Sequence, residues 1–390
     1  MTETWVWCET LFTPFQQHND RYIHIQEGKI RSILPSSEVR HIPNHSLVSE
    51  PGTIVAPGFI DLHVHGAQGR DFMDGTLESL QTISETLARH GTTSFLPTTL
   101  SAPDSDIEVA LRGFAQHRSK ITDGAVPTGI HMEGPFLNPS CRGTHDARYL
   151  KRADISAFRR FREVSGGCIL KMTVAPEMDE GFALIREATE AGIQVSIGHS
   201  DATVEQARAA VEAGARHATH TFNAMRPFHQ REPGILGQVL TDDRVFAEVI
   251  CDGIHVHATA LRLLLRSKGV DRTVLITDGL SAVDMPDGRY PLGNKIIVLE
   301  RGGECRDLEG RLAGSTLTLD RAVRNLVHWF DVPLHEALTV ASATPARSMQ
   351  MGEKKGILAS GTDADLVFLD ANLQVVKTMV GGRIVYSRSN

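Results

Sequence analysis

The run TIVAPGFIDLHVHG, residues 53–66, decides the fold. Its apolar stretch is continuous rather than alternating, as in a strand of a parallel sheet buried on both faces. It breaks off in His63 and His65. The same pattern, an apolar run ending in polar residues, recurs in TTSFLPTT from Thr92, PTGIHMEG from Pro127 and LKMTVAPE from Leu170. It returns in GIQVSIGHS from Gly192, HATHTFNAM from His217, FAEVICDGIH from Phe246 and RTVLITDG from Arg272.

Between these eight runs lie amphipathic stretches that read as helices: Leu77 to His90, Glu108 to His117, Phe182 to Ala191 and Thr203 to Ala213. Ser200 and Asp201 are good N-cap residue types ahead of the last. Eight strands alternating with helices predict an α/β fold of the (β/α)8 TIM-barrel type rather than an open doubly wound sheet. No GxGxxG follows the first run to support the open sheet.

The flanks read differently. RYIHIQEGKIRSIL and GILASGTDADLVFLDANLQVVKTMVGGRIVYS carry short alternating runs, with turn pairs at Glu27-Gly28 and Gly381-Gly382. Neither end is long enough for a good core alone. The expectation is a small β-sandwich domain formed by both chain ends, residues 1–55 plus 350–390, beside a barrel over 56–349.

The bulk numbers narrow the function. With 41% hydrophobic and 22% charged residues the chain is ordinarily globular. A net charge of -7 gives no bulk attraction for nucleic acid or an anionic membrane. The count of five cysteines is odd and no CxxC occurs, which predicts reduced thiols in a cytoplasmic protein. The first residues lack a signal-peptide pattern, and no run reaches 18 apolar residues. The chain holds 18 histidines, so their positions matter.

In a barrel, catalytic groups sit at the C-terminal ends of strands. Here those ends carry His63 and His65, Glu133, His199, His220 and Asp278. Residues i and i+2 of a strand point to one side, so His63 and His65 can face the barrel mouth together. Each residue alone could be structural: a strand histidine, a rim acid in an ion pair. Together, at one end of different strands, they match the imidazole and carboxylate set of a divalent metal, zinc first, with iron, cobalt or manganese also suited. Such an ion acidifies bound water and polarises a carbonyl. Asp278, after the apolar VLIT, is the candidate acid/base. Cys141 and Cys251 lie near these phrases but read as packing residues.

PGFIDLHVHG from Pro57, with the strand ends and β-rich flanks, resembles the amidohydrolase superfamily. HMEGPFLNPSCRGTHD from His131, GHSDAT from Gly198, HTFNAM from His220, REPG from Arg231, DGIH from Asp252 and TDGL from Thr277 are similar to its N-acetylglucosamine-6-phosphate deacetylases. The resemblance spans essentially the whole chain in order. It implies that Glu133, His199 and His220 form the principal metal site and that Asp278 is the acid/base. It implies that His145 contacts the sugar and polarises the amide carbonyl. Asn223 and Ala224 meet the ligand, and Arg231 and His255 contact the phosphate, in dimers from the neighbouring subunit. Because the chain keeps His63 and His65, one or two ions can be held, with Glu133 bridging two. A homodimer acting on a small amino-sugar phosphate, with no nucleic acid or membrane partner, is what the family implies.

Three rivals stand beside this reading. A cyclic-amide hydrolase would bridge two metals with a carbamylated lysine at the end of strand four. Lys171 stands instead near the start of that run, roughly 13 Å below the rim at about 3.3 Å per residue. N-acetylgalactosamine-6-phosphate deacetylation differs by one hydroxyl of the substrate. A non-catalytic sugar-phosphate-binding protein on the same fold would be expected to have lost a ligand or Asp278. His217, His229 and His257 read as structural or solvent-facing.

Overall fold

Thr273–Ile276, a TVLI run buried at every residue, has room only for the extended backbone that its β-branched side chains favour. It closes a six-stranded parallel sheet in chain order: Ile130–Glu133, Ile169–Val174, Gln194–Ile197, His217–Ala218, Phe246–Ile250 and Thr273–Ile276. A second parallel sheet joins Val126–Pro127, Thr92–Pro97 and Phe59–Val64. Single parallel bridges link Thr98 to His131 and Val64 to Gly279. The structure is a computed structural model describing residues 3–40, 42, 47–300 and 302–389, so the extreme ends of the 1–55 and 350–390 ranges lie outside the described residues.

The interleaved helices follow their apolar faces. Leu77–Arg89 buries Leu80, Ile83 and Leu87, and the Thr76 side chain accepts from Ser79 N–H at its start. Asp104–His117 starts earlier than its apolar pattern suggested, with Asp104 and Asp106 in the first turn. Val204–Ala213 is capped by Thr203, which exchanges bonds with Gln206 in a capping box. Ser200 and Asp201 are therefore not the cap. The Ser200 hydroxyl donates to Glu177, and the Asp201 carboxylate accepts from Arg226.

Strands from both chain ends share one sheet of eight strands. Leu366–Leu369 pairs antiparallel with Ile54–Pro57, which in turn pairs parallel with Glu3–Phe12. The turn pairs fall where expected: Gln26 faces Lys29 across Glu27 and Gly28, and Val380 faces Arg383 across Gly381 and Gly382. All four turn residues have positive φ, as tight two-residue turns of this kind require. The core of this sheet mixes Val6, Leu11, Ile23 and Val55 with Leu366, Phe368 and Met379.

A further sheet has no counterpart in the sequence reading. After Thr273–Ile276 the chain forms a four-stranded antiparallel meander: Gly288–Leu292, Lys295–Glu300, Glu304–Asp307 and Leu312–Ser315. It packs Leu292, Ile297, Leu299 and Cys305 against Leu100 and Leu280. Its last strand returns to the same rim, where Ser315 N–H donates to Asp278 O at 2.8 Å. Among the described residues no helix is long and apolar enough to cross a membrane.

Candidate active site

Glu133 ends its strand fully surrounded by imidazoles. Its Oε1 lies 3.2 Å from His199 Nε2 and 3.2 Å from His220 Nε2. Its Oε2 lies 3.3 Å from His63 Nε2 and 3.2 Å from His65 Nε2. Asp278 Oδ1 completes the second group, 3.4 Å from His63 Nε2 and 3.2 Å from His65 Nε2. All six residues are buried. One carboxylate thus stands between two clusters of nitrogen and oxygen donors, each the size of an ion site.

The backbone makes this convergence possible. His199, His220 and Asp278 have φ of 48°, 30° and 51°. This left-handed region is costly for residues with a Cβ, and such strain collects at functional sites. It turns the chain sharply at the strand end, where these side chains converge on Glu133 and the His63–His65 pair.

Hydrogen bonds at the far ring nitrogens settle which imidazoles offer a lone pair. His65 Nδ1 donates to Thr98 O at 3.2 Å, and His199 Nδ1 donates to Cys141 O at 2.8 Å. A carbonyl can only accept, so in a neutral ring both keep an Nε2 lone pair facing Glu133. The donor set and these fixed tautomers fit a divalent ion. His145 is the opposite case. Its Nδ1 accepts from Ser101 N–H at 3.2 Å, which leaves the proton on Nε2. His145 therefore suits a hydrogen-bond donor role better than a metal ligand role, although it stands within ligand distance of Glu133 and His199.

The electrostatics agree. Burial alone would raise the Glu133 carboxyl, but the imidazoles, His63 foremost, hold it well below the usual range. Burial would likewise raise Asp278, yet His63 and His65 outweigh it and bring it to about 2. His145 is lowered to about 4 by burial, so it is neutral near pH 7.

A cavity of about 200 Å³ opens over this cluster. Asn223, Ala224 and His255 line it, and so do Leu100, Leu280, Leu292 and Leu312. Asp252 Oδ2 holds His255 by its Nδ1 at 2.6 Å. Arg231 is exposed and is not among the lining residues, which include no lysine or arginine. Lys171 is buried well inside, ion-paired to Glu248, so its ammonium does not reach the clusters. His217 is an internal residue bonded to Glu248 and Ser348 O, His257 caps a helix, and His229 lies in an exposed turn. Cys251 is buried and Cys141 half-buried, and burial raises both thiols, away from nucleophile chemistry.

Sequence reasoning missed Ser101, which orients His145, and the leucines of the meander. Ser101 lies two residues beyond the end of the TTSFLPTT run, outside the strand ends that carry the other candidates.

The amidohydrolase family model matches residues 54–385. The N-acetylglucosamine-6-phosphate deacetylase of Lysinibacillus sphaericus is 38% identical, over 94% of this chain and 94% of its own length. An N-acetylgalactosamine-6-phosphate deacetylase of Escherichia coli O157:H7 is 37% identical over 94% and 95%. The crystal structure of N-acetylglucosamine-6-phosphate deacetylase from Pasteurella multocida superposes with a TM-score of 0.93 at 30% identity, covering 99% of this chain and 100% of that one. The length and continuity of these matches place the chain in the amidohydrolase family.

Proposed function

We propose that this protein hydrolyses the acetamide of N-acetyl-D-glucosamine 6-phosphate to D-glucosamine 6-phosphate and acetate. The observation that carries the reading is Glu133 set between two clusters of imidazoles, with Asp278 and a neutral, Nε2-protonated His145 at the same cavity. Full-length resemblance to deacetylases of this substrate supports it.

Glu133, His199 and His220 would hold one divalent ion, and His63, His65, Glu133 and Asp278 a second; zinc is the first candidate, then iron, cobalt or manganese. Such an ion supplies a more acidic water and a Lewis-acid contact for the carbonyl. Asp278 takes a proton from the attacking water. His145 Nε2–H donates to the carbonyl oxygen and stabilises the charge that develops there. As the C–N bond breaks, Asp278 returns its proton to the nitrogen, leaving an amine and acetate.

Asn223, Ala224 and His255 form the polar wall for the sugar. The cavity lining has no lysine or arginine, while a phosphate dianion calls for one. We therefore assign the phosphate to His255 together with Arg231 from a second copy, which makes the working form a homodimer. Five free cysteines suit a reducing compartment, and we place the enzyme in the cytoplasm. The same reading counts Val126–Pro127 and Ile130–Glu133 as two parts of one strand and closes the two parallel sheets into one eight-stranded barrel through the Thr98–His131 and Val64–Gly279 bridges. The two chain ends then form a small β-sandwich, residues 1–55 plus 350–390, beside the barrel over 56–349.

The galactosamine isomer is the second reading, favoured by the comparable identity of its own deacetylase. A binding protein without catalysis is disfavoured because Asp278 and every ligand are retained. The test is acetate release by protein of counted metal content, from both sugar phosphates and from unphosphorylated N-acetylglucosamine. Metal-dependent release that favours the glucosamine phosphate is expected. No release from any of the three with metal bound would remove the substrate assignment.

Arg231→Ala should lower kcat/KM for the phosphorylated sugar roughly 10- to 100-fold, the scale of one charge-assisted bond. The unphosphorylated sugar should lose far less. Equal losses would show that Arg231 does not read the phosphate.

A further inference from the structure

Below the two clusters, the interior is unusually polar for a parallel-sheet core, which bulky aliphatic side chains normally fill. Lys171 and Glu248 face each other there at zero exposure. An apolar pair of similar volume is commonly as stabilising as a buried ion pair, so stability alone gives little reason for this one.

The two oxygens of Glu248 are unequally engaged. Oε1 meets Lys171 Nζ and, at 3.3 Å, His217 Nδ1. Oε2 is buried without a hydrogen-bond partner, and so is His63 Nδ1. These two atoms are 3.9 Å apart and face each other. His65 and His199 already have their Nδ1 anchored on backbone carbonyls. His63 Nδ1 has no such carbonyl bond and has Glu248 Oε2 before it instead.

We propose that Glu248, fixed by Lys171 and His217, is the positioning residue of the His63–His65 half of the site. When His63 gives its Nε2 lone pair to an ion, its proton resides on Nδ1. A movement of under about 1 Å brings that N–H within hydrogen-bond distance of Glu248 Oε2. The contact sets the ring plane and tautomer and strengthens the nitrogen as a ligand. Lys171 keeps the carboxylate ionised and directed. This explains why an ammonium at the strand position of Lys171 is kept inside the fold without reaching the rim. The proposal rests on the two-ion reading above.

The test is metal counting and affinity, not turnover. Wild type, Glu248→Gln, Lys171→Met and the double variant Lys171→Met/Glu248→Gln are titrated with cobalt(II), following ions per chain and the visible spectrum. Wild type should take two ions. Glu248→Gln should lose about 10- to 100-fold in affinity for one ion only, the usual scale for an outer partner of a ligand. The double variant removes the unpaired buried ammonium, so it should recover thermal stability but not the second ion. A purely structural role would move the melting temperature and leave both affinities alone. Two ions at wild-type affinity in Glu248→Gln, or a single ion in the wild type, overturns the proposal. A wild type that takes no ion overturns the metal reading beneath it.

Discussion

Asp278→Asn lowers kcat by at least about 100-fold while the protein keeps its metal. General acid–base groups contribute about 10²- to 10⁴-fold, and this residue is asked to act twice, on the water and on the leaving nitrogen. Asparagine retains an oxygen 3.2–3.4 Å from His63 and His65, so ligation through Oδ1 can persist. It cannot accept and return a proton at neutral pH. The measurement is turnover beside metal content on the same preparation. Near-normal turnover would remove Asp278 from the chemistry. A loss of turnover matched by a loss of metal would make it a ligand and not an acid/base.

Two ions leaving at different pH is the second expected result. In the metal-free protein, burial alone would lower His63 and His65, but Glu133 and Asp278 outweigh it and raise them to about 9 and about 10. Both are thus protonated near pH 7, and an ion must displace those protons. Each displaced proton costs about tenfold in apparent affinity per pH unit below the pKa, so two cost up to about 100-fold. His220 is lowered, mainly by burial, and imposes no such cost near neutrality. Between about pH 8 and pH 6 the His63–His65 half should therefore empty first. Metal counts after dialysis at three pH values check this. A common pH slope for both ions would refute it. Linkage gives the opposite sign for the metal-free fold. The raised pKa values contribute stability that is complete below about 6.5 and lost as pH rises through about 9 to 10.

Much of this was legible because parallel strands buried on both faces leave continuous apolar runs, and the rim leaves polar residues at their ends. His63, His65, Glu133, His199, His220 and Asp278 could be named as one set on that ground, and the coordinates bring all six together. The turns at Glu27-Gly28 and Gly381-Gly382 were readable because only certain residues accept positive φ. The meander over residues 288–315 was not, because its strands of four to six residues carry weak periodicity. The true cap, Thr203, was outbid by better capping types at Ser200 and Asp201, whose side chains are engaged by Glu177 and Arg226. The Lys171–Glu248 pair did leave a signal: one charge within each of two apolar runs, LKMTV and FAEVI, of opposite sign. Arg231 could be named only by family resemblance, since nothing local directs it to the cavity.

The sheet shared by the two chain ends has a consequence for how the protein is born. Ile54 hydrogen-bonds beside Leu369, so the segment between them, roughly 300 residues, must leave the ribosome before that sheet can close. At about 5–20 residues per second this takes on the order of 15–60 s. Throughout that interval Val6, Ile23 and Val55 lack the Leu366, Phe368 and Met379 side chains that they pack with in the finished sheet. The core of this sheet is then completed only after the residues of the central sheets have all been made.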